Sequence, residues 1–350
     1  MDIVQIAHAI SYGDATSNQI IAMDKLMKRC GFRTAIFADK IDPKIEYDIL
    51  PFNRFQYEVG IKVIFHFSTG TSFVDKVLAL PSKIILYYHN ITPPEFFEGF
   101  AWGSYFASKK GRQQLLELKS KAQFAWAASE YSRLELEESG FHHTGVLPII
   151  VDFAEYQSAP LVESIIDQYQ DGAINWLFVG RVTPHKKQED IIRTFYYYKN
   201  CVEPNSRLIL VGSQKRAYAE ALRQLTKELS LEKEVILTNK VSFAEMCTYY
   251  RISQAFVCMS EHEGFCVPLL ESMYYGLPVF AYDAAAVPYT LGNSGVLFDS
   301  KNYPYIAEMI GLALRDEYRS AILAAQTKRL QDFSPDKISR DLIHQLQALS

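Results

Sequence analysis

Short apolar runs alternate with helix-period patterns along this chain, and that alternation limits its fold more than any other feature. Thr34 to Phe37, Val63 to Phe67, Ile84 to Tyr88 and Ala122 to Ala128 read as strands buried on both faces. Such strands need helices above and below them, which predicts a parallel α/β architecture. Asp2 to Ala9 opens the series, and Val146 to Ile150 reads as the last strand of this half. Asp14 is placed to cap a helix that runs to Cys30, with Ile20, Met23, Met27 and Cys30 at helical spacing and Gly31 at its stop.

The text turns polar and irregular between Asp152 and Gly172, and a second alternation follows. Its strand candidates are Trp176 to Gly180, Leu208 to Gly212, Val235 to Leu237, Ala255 to Met259 and Pro278 to Ala281. A chain of 350 residues has room for two domains. The expected division is 1–160, 161–333 and a closing helix over 334–350, free to pack back on the first domain. That helix has Ile338, Leu342, Ile343 and Leu346 on one face. Two doubly wound domains facing each other would leave a cleft at the carboxyl ends of their strands, where such folds bind ligands.

Composition excludes several classes. Hydrophobic residues make up 49% and charged residues 22%, as in a well-cored globular protein. A net charge of -4 gives no basic footprint for nucleic acid. The N-terminal residues lack the basic-then-apolar plan of a signal peptide, and no run is long enough to cross a bilayer. Cys30, Cys201, Cys247, Cys258 and Cys266 are scattered and odd in number, which argues against a disulfide framework or a zinc site and for a reducing cytoplasm. No G-x-G-x-x-G follows any expected strand, so a nicotinamide dehydrogenase is set aside.

Two segments carry chemistry. In Gly180-Arg181-Val182-Thr183-Pro184-His185-Lys186, an arginine leaves a strand end and a lysine stands at the next helix start. Two fixed cations there suit a diphosphate, since arginine gives bidentate geometry and lysine a compact charge. A solvated basic loop is the alternative for such a pair on its own. In Ser260-Glu261-His262-Glu263-Gly264-Phe265-Cys266-Val267-Pro268-Leu269-Leu270-Glu271, one carboxylate sits in a loop and another in the following helix. Pro268 is expected at the first helical position, leaving the Gly264, Phe265, Cys266 and Val267 amides near the helix entrance.

Taken together, these segments resemble glycosyltransferase family 4, retaining enzymes of the GT-B fold. Tyr12-Gly13-Asp14-Ala15, Tyr88-His89-Asn90-Ile91-Thr92-Pro93 and Ala128-Ser129-Glu130-Tyr131 resemble the N-terminal half of its bacterial polysaccharide and O-antigen members. The resemblance implies two facing Rossmann-like domains and a hexose transfer from a nucleotide-diphosphate sugar, GDP- or UDP-linked, to a glycan or lipid-linked acceptor. It implies that Arg181 and Lys186 hold the diphosphate, that Glu263 takes hydroxyls of the transferred sugar and that Glu271 takes the ribose. It also implies that Phe265, Cys266 and Val267 bring amides to the sugar and phosphate, that Gly13 approaches the phosphates, and that His89 stands near the anomeric carbon. The chain departs from the family pattern in having one glycine in its first loop, Lys187 after the family lysine and Asn239 where glycine is common.

No metal motif and no cofactor are expected: neither a D-x-D motif nor an acid–nucleophile carboxylate pair is evident. The expected reaction is a metal-independent, configuration-retaining transfer in the cytoplasm. An inactive GT-B partner subunit and another GT-B enzyme, a phosphorylase or epimerase, are the competing readings. His66 is as suited to a core as to a cleft. The basic stretch Lys109 to Lys121, with Leu115, Leu116 and Leu118, admits peripheral contact with anionic lipid at the inner membrane face; a solvated helix face is its alternative.

Overall fold

The computed structural model describes residues 2–349. The chain divides into two compact units, one running to Asp152 and resuming at Phe333, the other spanning Phe153–Asp332. The boundary falls eight residues before the expected 160/161 division. The reason is aromatic packing. Phe153 stacks on Tyr274 at 4.5 Å between ring centroids, and Tyr156 meets Phe243 edge-on at 4.9 Å, so this segment joins the second unit.

The first unit holds a seven-stranded sheet. Its strands are β1 (Ile3–Ile10), β2 (Thr34–Ile41), β3 (Leu50–Pro51), β4 (Lys62–Phe67), β5 (Ile84–Tyr88), β6 (Ala122–Ala127) and β7 (Thr144–Val146). They lie in the order β3-β2-β1-β4-β5-β6-β7, and every neighbouring pair is parallel. The central strands are buried on both faces: β5 has no exposed side chain, and Phe65, Phe67, Tyr87 and Tyr88 are among the largest fully enclosed groups. Asp14 caps the helix Ala15–Arg29 by accepting from the Ser17 amide at 3.1 Å. The last strand was expected over 146–150 but ends at Val146; the Leu147 amide still donates to the Ala127 carbonyl of β6 at 2.9 Å. The helix Pro335–Ala348 buries Ile338, Leu342 and Leu346, while Ile343 is half-buried. It ties to the first unit through Trp126 Nε1, which donates to Gln345 Oε1 at 2.5 Å, and through Lys62 Nζ, which donates to the Leu349 carbonyl at 3.2 Å.

The second unit holds a six-stranded sheet of β8 (Ile174–Val179), β9 (Ser206–Val211), β10 (Val235–Leu237), β11 (Ala255–Cys258), β12 (Val279–Tyr282) and β13 (Val296–Phe298). The order is β10-β9-β8-β11-β12-β13, again parallel throughout. The polar stretch read as irregular contains two short helices, Phe153–Ser158 and Glu163–Tyr169. Both are mostly exposed, so burial imposed little apolar periodicity on their sequence.

Candidate functional site

In the second unit, strand order reverses direction between β8 and β11, with β9 and β10 to one side and β12 and β13 to the other. Parallel sheets bind ligands beyond the carboxyl ends of strands at such a point. The two segments singled out in the sequence leave from these two neighbouring strands. β8 runs into Gly180-Arg181, and β11 runs into Met259-Ser260-Glu261. The loops are tied backbone to backbone, the Glu261 amide donating to the His185 carbonyl at 2.9 Å. They are also tied by charge, since the Lys186 ammonium pairs with the Glu263 carboxylate.

Close chain approach fixes the start of the first loop. A Cβ on Gly212, at the end of β9, would lie 1.9 Å from the Gly180 carbonyl oxygen, so only glycine fits there. Gln188 Nε2 donates to the Arg181 carbonyl at 3.0 Å. The Arg181 side chain is exposed, and among the described residues it has no ion-pair partner. The two departures from the family's glycines, Lys187 and Asn239, sit at φ +51° and +68°. The left-handed backbone is therefore kept without the residue that favours it, most easily by asparagine.

The Glu263 loop is held from several sides. The Glu263 carbonyl accepts from the Ala286 amide at 3.3 Å, and the Phe265 carbonyl accepts from Thr290 Oγ1 at 2.5 Å. Cys266 takes φ +73° as the residue before the helix Val267–Tyr274. A non-glycine residue in that region stores strain that the surroundings must hold. Pro268 is the second helical residue, not the first, because Val267 already has helical geometry. Phe265 and Cys266 are buried, Gly264 and Val267 half-buried.

Sequence reasoning missed a brace behind this loop. Lys301 Nζ donates to Asp190 at 2.6 Å and to Glu261 at 2.5 Å, and Tyr303 donates to Asp190 at 2.7 Å. Lys187 adds a weaker contact to Glu261 at 3.4 Å. Lys301 lies 40 residues from Glu261, and nothing local marks it.

Glu271 is 5% exposed, and its two oxygens accept from the Tyr156 and Tyr250 hydroxyls, each at 2.6 Å. Burial raises its pKa, while the two hydroxyls pull it back down. Neither tyrosine was singled out in the sequence; Tyr156 lies in the stretch read as polar linker.

Among the described residues, Cys258, Glu263 and Cys266 have donor atoms close enough to share a metal, all within 4.8 Å. The Lys186 ammonium already occupies the same Glu263 carboxylate and opposes a second cation beside it.

The two remaining candidates belong to the first unit. Gly13 lies exposed at φ +70° in the loop after β1, and half-buried His89 follows β5. His89 is hydrogen-bonded to buried His66 of β4, which is thereby drawn into the same cluster. Arg112 and Lys121 of the basic stretch make structural contacts, Arg112 to Glu135 at 2.8 Å and Lys121 to the Leu80 carbonyl. Lys109, Lys110 and Lys119 are exposed.

The family model described as "Glycosyl transferases group 1" matches residues 168–330, nearly the whole second unit and both of its motif segments. Residues 168–330 carry a glycosyl transferases group 1 domain. The group 1 domain and the unit before it together have the GT-B fold. The chain is similar along 99% of its length to all of Anabaena HepE in complex with UDP and glucose, at TM-score 0.76 and 17% identity. Among curated proteins it is 24% identical over 175 residues to O-antigen chain mannosyltransferase B of Escherichia coli, covering 49% of this chain and 45% of that protein. It is 31% identical over 121 residues to O-antigen chain mannosyltransferase RfbU of Salmonella typhimurium, covering 35% of this chain and 33% of that one. The matches thus span less than half the length of these two relatives.

Proposed function

We propose that this protein is a glycosyltransferase that moves a hexose from a nucleotide-diphosphate sugar to a hydroxyl of a glycan or lipid-linked acceptor, in surface-polysaccharide synthesis. The observation that carries this reading is the Lys186–Glu263 ion pair beyond the carboxyl ends of β8 and β11, with the exposed Arg181 on the same loop as Lys186. Cleavage of the anomeric C–O bond puts negative charge on the departing diphosphate. Arg181 lies exposed to take it, and the Lys186 ammonium has three donors, of which Glu263 uses one. Fixed cations aimed at developing charge contribute several kcal/mol to such a step. Glu263 accepts from hydroxyls of the transferred sugar.

The acceptor oxygen bonds the anomeric carbon from the face the diphosphate leaves, and its proton passes to the leaving diphosphate. Configuration is retained, and Lys186 and Arg181 supply the positive charge a metal would otherwise bring. Glu271 keeps further lone pairs for ribose hydroxyls, with Tyr156 and Tyr250 fixing its carboxylate. Gly13 approaches the phosphates with its backbone.

Mannosyl transfer is the first donor chemistry to test, because the curated relatives are named as mannosyltransferases. A UDP-hexose is the second, because HepE is seen with UDP. Among the described residues no helix is long and apolar enough to cross a membrane. A lipid-linked acceptor would then be met at the bilayer surface, and the helix Trp102–Leu118 is suited to that contact. Trp102, Phe106 and Leu116 are exposed on it beside Lys109 and Lys110.

A melting series with GDP, UDP, ADP and TDP tests the donor. The matching nucleotide, at a hundred times its Kd, stabilises by about 2.7 kcal/mol. Transfer from the corresponding sugar nucleotide is expected to survive EDTA and to give the retained anomer. No stabilisation by any of the four, or an inverted product, would overturn the reading.

A further inference from the structure

A chain of buried hydrogen bonds runs through the first unit behind His89. Gln5 Nε2 donates to the Ile20 carbonyl at 3.1 Å. Gln5 Oε1 lies 2.8 Å from His66 Nε2, and His66 Nδ1 lies 2.9 Å from His89 Nε2. Gln5 is fully buried and His66 is 4% exposed, so water has little part in the arrangement. The rings are also fixed in position. His66 stacks on Tyr87 at 5.2 Å, and Tyr87 lies 4.5 Å from His89. Tyr87 is itself held, accepting from Gln19 Nε2 at 3.0 Å and donating to the Leu147 carbonyl at 2.6 Å.

The proton positions follow from one fixed end. A backbone carbonyl can only accept, so the Gln5 amide nitrogen must face Ile20. The Gln5 oxygen therefore faces His66 and must receive a proton from Nε2. Burial drives His66 to its neutral form. With Nε2 protonated, its Nδ1 can only accept. His89 must then donate from Nε2, which leaves a lone pair on Nδ1. Among the described residues, that nitrogen accepts no hydrogen bond. Burial also holds His89 neutral, with its pKa pushed down to about 3.

We propose that Gln5 and His66 are positioning residues that lock His89 in the Nε2–H tautomer, so that His89 engages a sugar hydroxyl as an acceptor through Nδ1. The inference that the ligand is a sugar rests on the transferase reading; the tautomer assignment does not. Neutral His89 with Nδ1 unprotonated cannot act as the proton donor to a leaving group. It can orient a hydroxyl and take a hydrogen bond from it.

Long-range 15N–1H NMR on the 15N-histidine-labelled full chain at pH 7 reads the tautomer directly. The expected pattern for His89 is protonated Nε2 and bare Nδ1; protonated Nδ1 or an imidazolium overturns the proposal. His66→Phe keeps the ring against Tyr87 but removes the acceptor, and Gln5→Met removes the anchor. Both variants are expected to mix the His89 tautomers. Both should lower turnover about 10- to 100-fold, by analogy with losing the hydrogen-bond partner of a metal-bound histidine, with nucleotide-induced melting shifts unchanged. Mixed tautomers with full turnover would remove the role while leaving the tautomer assignment in place. Wild type that transfers no sugar would end the transferase reading instead, and the wild-type spectrum decides the tautomer independently of it.

Discussion

Glu271 and Glu263 share a motif but occupy opposite environments, and each environment points to a use. Glu263 is matched by the Lys186 ammonium. Among the described residues the Glu271 carboxylate accepts from the Tyr156 and Tyr250 hydroxyls, and burial raises its pKa. A carboxyl that binds its proton more tightly folded than unfolded lowers stability above its folded pKa; stability rises as pH falls through that pKa toward the unfolded one. Glu271→Gln keeps acceptor and donor capacity for both tyrosines and removes the buried charge. It is expected to raise the melting temperature of the free protein by a few degrees at pH 7, and the gain should shrink as the pH is lowered towards 5. The same variant should bind nucleotide at least tenfold more weakly, the loss of one charge-assisted hydrogen bond being worth about 1.5–3 kcal/mol. Calorimetric melting with nucleotide titration measures both effects; unchanged affinity would remove Glu271 from the ribose. The motif glutamates and the Arg181/Lys186 pair were legible because they are local to strand ends. Tyr156, 115 residues from Glu271, was not, because contact across that separation leaves no periodic trace.

At the scale of elements, the helix Trp102–Leu118 combines two demands. Its inner face buries Gly111, Leu115 and Leu118, and a Cβ on Gly70 would lie 2.3 Å from the Gly111 amide nitrogen. The outer face keeps Trp102, Phe106, Lys109, Lys110 and Leu116 in water. Each lysine near an anionic surface is worth about 1 kcal/mol. Lys109→Ala with Lys110→Ala should therefore weaken sedimentation with phosphatidylserine-containing liposomes roughly thirtyfold at low salt. No salt-sensitive binding by the parent chain would remove the lipid contact. The long central strands, the Asp14-capped helix and the closing helix were readable from apolar periodicity. β3 and β13 were not: they are two- and three-residue edge strands, too short to show a period.

At the scale of the whole molecule, the second unit is one continuous segment, whereas the first is built from two. The helix Pro335–Ala348 covers part of the first unit with Ile338, Leu342 and Leu346. Ending the chain after Asp332 removes that cover, and a buried leucine or isoleucine truncated to alanine alone costs about 2–5 kcal/mol. The shortened chain is expected to melt in two steps, with the first unit's transition lowered and that of residues 153–332 little changed. A single unaltered transition would contradict this. The interruption also sets an order in time. Synthesis from the N-terminus delivers all of Phe153–Asp332 before the residues that finish the first unit. The group 1 domain can complete its fold while the N-terminal sheet still waits for its last helix. A chain ending at residue 332 would already carry the Lys186–Glu263 pair, while the N-terminal sheet would still lack the cover of Ile338, Leu342 and Leu346.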